Sequence, residues 1–242
     1  MHDVYMEAPY FFVDAILEYG AVITPPEDTA RHMVQVLRMR EGEQLIITNG
    51  QGRSALCTIQ STSKKSCTVT VGQVTVTPDR NRNITIAISQ LKNANRFEWF
   101  LEKVAELGVS RIVPLQCART EKQYFRKDRA QNILVSALQQ SQQAWLTEIT
   151  EPTPFDDFLQ QSVSGSAFIA HCEPSEKQVL TGAGLAAATI LIGPEGDFTP
   201  LEIDAAVQKG FIPVSLGDTR LRTETAGIVA AVKLIDGKPN IQ

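Results

Sequence analysis

The chain has few residues of the kinds that bind metals or form disulfides, with four cysteines and three histidines among 242 residues. The cysteines Cys57, Cys67, Cys117 and Cys172 form no C-x-x-C pair. The histidines are widely separated, so a metal site is not expected. Scattered thiols without an export signal are typical of a reducing compartment, and we therefore expect free cysteines and a cytoplasmic location.

Several motifs and long hydrophobic segments are also missing. No apolar run approaches the roughly 20 residues that cross a bilayer, so no membrane association is expected. The first residues carry acids and lack the basic region of a signal peptide. Neither G-x-G-x-x-G nor G-x-x-x-x-G-K-[ST] occurs, and no Ser-His-Asp or Cys-His arrangement is evident, which argues against nucleotide-phosphate cradles and covalent hydrolases.

Charge is distributed unevenly along the chain. The net charge is −4, yet residues 79–130 contain eleven basic and six acidic side chains. Within this stretch, Tyr124–Arg129 places three cations beside two aromatic residues. A local basic surface is sufficient for phosphate contacts, so RNA binding is compatible with an acidic protein. A solvated helical face is the alternative interpretation.

The hydrophobic pattern changes near residue 77. The first part alternates like short strands, and Asn49–Gly52 has the chemistry of a hairpin turn, which together favour a small β-barrel. The polar segment Thr77–Asn83 follows as a domain boundary. Beyond it, strands alternate with helices, beginning with Ile84–Leu91 and Arg96–Leu107, so a parallel α/β sheet is predicted. A later helix is predicted from Asp128 to Trp145.

Two strand–loop–helix segments near the C-terminus organise this second part. Ala188–Ile192 is an apolar strand that leads into Gly193–Gly196, and Thr199 with Pro200 and Glu202 has the pattern of a capping box. The second segment has a strand at Phe211–Leu216, a loop to Arg222 and a helix from Thr223 to about Asp236. Loops at the carboxyl ends of parallel strands form ligand crevices, although each could be a simple turn. Because the first loop contains no cation, its ligand should be neutral or positive.

The sequences LIGPEGDFTPLE and LGDTRLRTETA at this spacing resemble the ribosomal RNA small subunit methyltransferase E family. The resemblance extends to Arg31–Glu43 and Phe97–Leu115. It implies a SPOUT-type α/β trefoil-knot methyltransferase domain over residues 77–242 and a small PUA-like, RNA-binding β-barrel over residues 1–76. It also implies a homodimer that uses S-adenosylmethionine and no metal to methylate N3 of a uridine in 16S rRNA of the small ribosomal subunit.

The resemblance also implies roles for individual residues. Arg222 would stabilise the developing anion at N3 of uracil, and Glu224 would act as a base or as an orienting group; a first-turn acid that complements the helix dipole is the alternative for Glu224. Cofactor contacts would come from His171, Ile192, Gly193, Glu195, Gly196, Leu216, Gly217, Leu221 and Thr223. RNA contacts would come from Arg31, Arg38, Lys92, Arg119, Arg126 and Arg220.

Gln143 stands where the family usually has an arginine, so a role for that position is open. Three rival functions also remain: a SPOUT methyltransferase acting on another RNA such as tRNA, a nonenzymatic RNA-binding module, and an α/β enzyme acting on a small molecule. Binding of S-adenosylmethionine would separate the enzyme from the binding module, and failure to bind RNA would favour the small-molecule enzyme.

Overall fold

The structure is a computed structural model that describes residues 8–78, 83–121, 124–182 and 185–236. The chain divides into two compact units, one formed by residues up to 80 together with Leu138–Leu146, and the other by the remaining residues. Most of the predicted boundary segment, Asp79–Arg82, lies outside the described residues.

The first unit is a five-stranded sheet with the strand order β1-β3-β4-β5-β2. Alternate residues of its long strands are buried, as the sequence pattern predicted. The side chain of Asn49 accepts hydrogen bonds from the backbone N–H groups of Gln51 and Arg53, which closes the predicted hairpin. The strands are β1 (Tyr10–Phe12), β2 (Val22–Ile23), β3 (Gln44–Thr48), β4 (Arg53–Thr62) and β5 (Cys67–Val76).

The helix of this unit departs from simple α-helical spacing. Helix α1 (Glu27–Arg31) continues directly into a π-helical turn, His32–Val36, in which the N–H of Leu37 bonds to the carbonyl of His32. The wider turn rotates Leu37 away from the buried face that Met33 occupies, and 45% of Leu37 is exposed. The buried face of this helical segment, which includes Ala30 and Met33, therefore ends before Leu37.

The segment Leu138–Leu146 completes the first unit. Helix α3 (Lys127–Gln140) ends before the predicted Trp145, because Gln142 has a φ of 53° and turns the chain. Trp145 lies against Gly52, where an added Cβ would be 2.3 Å from the indole ring, and its Nε1–H donates to the carbonyl of Thr77. Since Gly52 also has a φ of +83°, glycine is required at this position for two reasons.

The second unit contains the predicted parallel sheet, in the order β11-β13-β10-β12-β6-β7-β8, with β9 paired to β7. Every pairing in it is parallel. Three two-residue strands, β8, β9 and β11, were not predicted because such short segments carry no periodicity. The strands are β6 (Ile84–Ser89), β7 (Arg111–Gln116), β8 (Glu148–Ile149), β9 (Thr153–Pro154), β10 (Ser166–Ala170), β11 (Gln178–Val179), β12 (Ala188–Ile192) and β13 (Ile212–Ser215).

The helices of this unit are α2 (Ala94–Glu106), most of α3, α4 (Phe155–Leu159), α5 (Pro200–Gln208) and α6 (Thr223–Asp236). The capping box of α5 is formed by Thr199 and Glu202, as predicted. Phe97 and Phe100 of α2 are buried, which confirms that they belong to the core. Helix α6 packs closely on α2 at Gly227, where a Cβ would lie 2.5 Å from the ring of Phe100.

Within the residues that the structure describes, no helix is long and apolar enough to cross a membrane. The same residues contain no group of three or more His, Cys, Asp or Glu side chains placed to hold a metal ion.

Candidate functional site

One crevice of about 750 Å³ lies at the carboxyl ends of three neighbouring strands. Strand β10 lies between β12 and β13, and all three run parallel, so the loops that follow them meet at one edge of the sheet. These loops contribute His171, Gly193 and Leu216, and the first turns of α2 and α6 complete the wall. A volume of this size suits one small organic ligand.

The loop after β12 is held in place by bonds to its neighbours. Asp197 has a φ of 64° and accepts the backbone N–H groups of Phe198, at 2.8 Å, and of Cys172, at 2.7 Å. The second bond ties this loop to the one that follows β10. The guanidinium of Arg119 donates to the carbonyl of Gly196 at 2.7 Å. The backbone of the loop is therefore fixed in position without any ligand.

Glycine is required at the start of this loop by close packing. A Cβ on Gly193 would lie 3.0 Å from the ring of the buried Phe198 and 3.1 Å from its backbone nitrogen. The backbone of Gly193 can thus line the crevice while Phe198 fills the space beneath it. Backbone N–H and C=O groups are strong hydrogen-bonding groups, so those that line the crevice suit a polar ligand.

The loop after β13 leads directly into α6. The hydroxyl of Ser215 donates to the carbonyl of Gly217 and accepts its N–H, which closes a tight local turn. The following residues, from Leu216 to Thr223, line the crevice, and Thr223 is buried at the beginning of the helix. The chain thereby passes from strand to helix along the wall of the cavity.

Arg96 connects three elements around the crevice. Its Nε and Nη2 donate to the two carboxylate oxygens of Glu224, at 2.7 and 2.5 Å, and its Nη1 lies 3.3 Å from Glu195. Arg96 belongs to α2, Glu224 to α6 and Glu195 to the loop after β12. A bidentate pair of this kind fixes both side chains in orientation.

This pairing determines the protonation state of Glu224. Burial alone would raise the pKa of its carboxyl group, but the hydrogen bonds from Arg96, with the positive charges of Arg96 and Arg222, hold that pKa below its ordinary value. The pKa of Arg96 is raised in turn, chiefly by its hydrogen bonds to Glu224. Glu224 is therefore a carboxylate near neutral pH and a poor proton acceptor.

His171 is a buried imidazole that faces the same cavity. Neither ring nitrogen has a hydrogen-bond partner among the described residues, and only 8% of the residue is exposed. Burial, together with the positive charge of Lys177, lowers the pKa of His171 despite the nearby Asp197 and Glu173. A neutral imidazole offers one donor and one acceptor, and here both lack a partner among the described residues.

Two arginines at the mouth of the crevice remain free to contact a substrate. Arg220 and Arg222 line the cavity and are exposed. Neither forms an ion pair with any residue that the structure describes. The crevice thus combines a paired cation, Arg96, with two arginines that form no ion pair among the described residues and with Lys177, which donates to the carbonyl of Glu173.

Most of the residues predicted for the cofactor site are brought together in this crevice, and Gly196 is the exception: it contacts Arg119 through its carbonyl oxygen and is not among the lining residues. Of the two predicted catalytic residues, Arg222 lines the cavity and Glu224 is buried beside it in its pair with Arg96. The lining residues that had been predicted are His171, Ile192, Gly193, Glu195, Leu216, Gly217, Leu221 and Thr223.

The residues predicted to bind RNA are in diverse environments. Arg31 forms an i,i+4 ion pair with Glu27, and Arg38 is exposed with a φ of 56°; both belong to the first unit. Lys92 is exposed and pairs with Glu121, at 3.1 Å. The remaining three are Arg119, bound to the loop after β12, Arg220 at the crevice, and Arg126, which lies beside a second small pocket.

Sequence reasoning missed Arg96 and Asp197. Arg96 had a readable signal, because a cation in the first turn of a helix opposes the helix dipole and calls for an acidic partner. The first turn of α2 contains no acid, so the partner had to come from elsewhere. Asp197 gave no comparable signal, since its role depends on a left-handed backbone conformation that an aspartate tolerates.

Comparison with known proteins agrees with this geometry. Residues 78–235 match the RNA methyltransferase domain family, and residues 25–72 match the RNA methyltransferase PUA domain family. Ribosomal RNA small subunit methyltransferase E of Mycobacterium bovis is 30% identical over 239 residues, which cover 93% of this chain and 90% of the relative.

Solved structures give the same picture. A probable rRNA-methyltransferase from Porphyromonas gingivalis has a TM-score of 0.84 and 34% identity, and the match covers 95% of this chain and 98% of the other. Ribosomal RNA small subunit methyltransferase E from Neisseria gonorrhoeae, bound to S-adenosylmethionine, also has a TM-score of 0.84, with 26% identity over 93% of this chain and 96% of the other.

Proposed function

Since this chain belongs to the ribosomal RNA small subunit methyltransferase E family of RNA methyltransferases, we propose that it transfers a methyl group from S-adenosylmethionine to N3 of a uridine in 16S rRNA. The observation that carries the proposal is the unpaired guanidinium of Arg222 at a crevice built from three loops of a parallel sheet. The crevice supplies a cofactor site, and the guanidinium of Arg222 supplies positive charge beside the place where the uracil base would react.

The crevice suits S-adenosylmethionine in size and in chemistry. Its volume of about 750 Å³ accommodates one such molecule, and the unpartnered nitrogens of His171 can bond to polar atoms of the ligand. Glu195 and Asp197 give the loop after β12 a negative character that suits a sulfonium and would repel a polyphosphate. The backbone of Gly193 and the residues from Leu216 to Thr223 would hold the rest of the molecule, and Gly196 would act through the loop rather than by direct contact.

The chemical task of the protein is positioning and charge stabilisation. S-adenosylmethionine supplies a methyl group that its sulfonium has already activated. N3 of uracil is a weak acid between two carbonyl groups, so a nearby cation stabilises the anion that develops as its proton passes to solvent water. Arg222 holds that position in the proposal, and Arg220 contacts the RNA backbone beside it.

Glu224 serves as an orienting group in this proposal. Its carboxylate is held by two hydrogen bonds from Arg96, and its pKa lies below the ordinary value, which is the wrong direction for a base that must accept a proton near pH 7. Through Arg96, Glu224 sets the position of the helix that begins at Thr223, one residue after Arg222.

The rest of the chain contributes RNA contacts and assembly. We propose that residues 1–76 form a PUA-like RNA-binding domain, with Arg31 and Arg38 on RNA, and that residues 77–242 form the SPOUT domain, in which Lys92 and Arg126 also contact RNA. The loops around α6 are proposed to form the trefoil knot that characterises SPOUT enzymes. The proposed functional form is a homodimer in the cytoplasm that acts on the small ribosomal subunit.

The decisive test is methyl transfer from labelled S-adenosylmethionine to small ribosomal subunits from cells that lack this gene. Mass spectrometry of the nucleosides should detect N3-methyluridine. We expect Arg222→Ala to lower the turnover rate by about a hundredfold or more while S-adenosylmethionine still binds. Lys209→Ala, an exposed cation of the second unit that does not line the crevice, is the matched control and should retain wild-type activity.

Other outcomes would redirect the proposal. Transfer to tRNA but not to ribosomal subunits would keep the chemistry and change the substrate. Binding of RNA without binding of S-adenosylmethionine would favour a nonenzymatic module, and full activity of Arg222→Ala would remove the proposed role of that residue.

A further inference from the structure

A second, smaller pocket lies beside the crevice. It has a volume of about 80 Å³, which is far below the 300–1,000 Å³ of sites for larger ligands but suits part of a single planar ring. Its floor is apolar, with Leu91, Phe97 and Leu101 from the end of β6 and from α2. Gln90 is a polar residue among those that line the pocket.

Aromatic rings border this pocket. Phe125 meets Phe97 edge to face, with 6.5 Å between the ring centroids. The neighbouring Tyr124 is 90% exposed, so its ring is available to a ligand. A small pocket with an apolar floor and an exposed aromatic ring at its rim is an arrangement on which an unpaired nucleobase can stack.

The charge around the pocket complements RNA. Of the described cations between residues 83 and 130, six form ion pairs with acidic side chains, and Arg119 donates to backbone carbonyls. Arg126 is exposed at the pocket, and its guanidinium makes no ion pair with any described residue. Glu98, the acid in the pocket wall, is neutralised by Arg129. The free positive charge thus lies at the rim, where a phosphate would be.

The first turn of α2 separates this pocket from the crevice. Ala94 lines the pocket and Arg96 lines the crevice, and two residues correspond to about 3 Å along a helix axis. A strand of RNA that places one base at the mouth of the crevice therefore has the pocket within reach of a nearby nucleotide.

We propose that this pocket binds an unpaired base of the substrate RNA close to the uridine that is methylated, an inference that rests on the function proposed above. Tyr124 stacks on the base, Phe125 contacts its edge, and Arg126 binds the adjoining phosphate. The pocket is a second site of base recognition, so recognition of the RNA depends on a nucleotide other than the one that is methylated.

The test compares Tyr124→Ala with Tyr124→Phe, since the phenylalanine keeps the aromatic face. With small ribosomal subunits as substrate, Tyr124→Ala should raise KM by between about fivefold and a hundredfold, with little change in kcat, and Tyr124→Phe should remain close to wild type. Arg126→Ala should weaken RNA binding and reduce the dependence of that binding on salt. The affinity for S-adenosylmethionine should be the same in all three variants.

Synthetic RNA identifies the base. In RNA fragments centred on the modified uridine, single abasic sites are placed at successive flanking positions. One abasic position should weaken binding by the wild-type protein and have no further effect on Tyr124→Ala, because both changes remove the same stacking contact.

Three results would overturn the inference. Unchanged KM in both Tyr124→Ala and Arg126→Ala, with normal methyl transfer, would refute a role of the pocket in RNA binding and leave the proposed function intact. A change in KM with ribosomal subunits, without a change in binding to protein-free RNA, would indicate that the pocket contacts a ribosomal protein instead of an RNA base. Absence of methyl transfer by the wild-type protein would overturn the proposed function, and this inference with it.

Discussion

Replacing Arg96 by alanine should destabilise the second unit through the carboxylate of Glu224. The side chain of Glu224 is only 7% exposed, and that of Arg96 is 28% exposed. Removing one partner of a buried pair costs about 3–5 kcal/mol. Because Arg96 is partly exposed and water can reach the vacated space, we expect about 2–3 kcal/mol, which corresponds to a fall in Tm of roughly 4–12 °C.

The dependence on pH identifies the carboxylate as the cause. In the wild-type protein the pKa of Glu224 is lowered, so its stabilising contribution is present above the unfolded pKa of about 4.3 and is lost as the pH falls through the folded value. In Arg96→Ala, burial without the hydrogen bonds from Arg96 should raise the pKa of Glu224, and its charge then destabilises the fold at neutral pH. The difference in unfolding free energy between the two proteins should therefore shrink from pH 7 towards pH 4.

Urea denaturation at several pH values measures this difference. Adding Glu224→Gln to Arg96→Ala should recover part of the lost stability, because the buried charge is removed. Lys103→Ala is the matched control on the same helix: its partners Glu102 and Glu106 lie at the surface, and it should unfold close to the wild-type midpoint. A deficit that is constant with pH and is not reduced by Glu224→Gln would refute this reasoning.

Two further predictions concern the crevice and the packing of α6. His171→Ala should weaken binding of S-adenosylmethionine by about fivefold to tenfold in calorimetry, because one hydrogen-bonding group is lost. The pKa of His171 is lowered, so the affinity of the wild-type protein should be constant above neutral pH and should change only as the imidazole is protonated in acid. Gly227→Ala should reduce the unfolding free energy by about 1–3 kcal/mol in urea, because the added Cβ would lie 2.5 Å from Phe100 and 3.0 Å from Ile88. Val232→Ala on the exposed face of the same helix is its control, and equal stability of the two variants would contradict the close contact.

Local signals predicted much of the fold. The capping box at Thr199, the strand Ala188–Ile192 and the hairpin at Asn49 depend on residues within a few positions of each other, and all three are observed. The loops of the crevice were predictable for the same reason, because each follows a recognisable strand.

Long-range contacts could not be read from the sequence. Arg96 and Glu224 are 128 positions apart, and the sequence around either residue does not indicate which residue it pairs with. Helix α3 was predicted to extend to Trp145 because that residue continues the apolar stripe, yet its ring packs against Gly52, which is distant in sequence. Periodicity reports that a side chain will be buried, but not which surface buries it.

The discontinuous composition of the first unit affects its folding during synthesis. Residues up to 80 leave the ribosome well before Leu138–Leu146, yet the unit includes both stretches, and Trp145 covers Gly52. At a synthesis rate of about 5–20 residues per second, several seconds pass between the synthesis of residue 80 and that of Leu138–Leu146. During that interval the N-terminal sheet lacks the segment that packs on it, so the incomplete unit is open to chaperones and proteases until about three fifths of the 242 residues have been made.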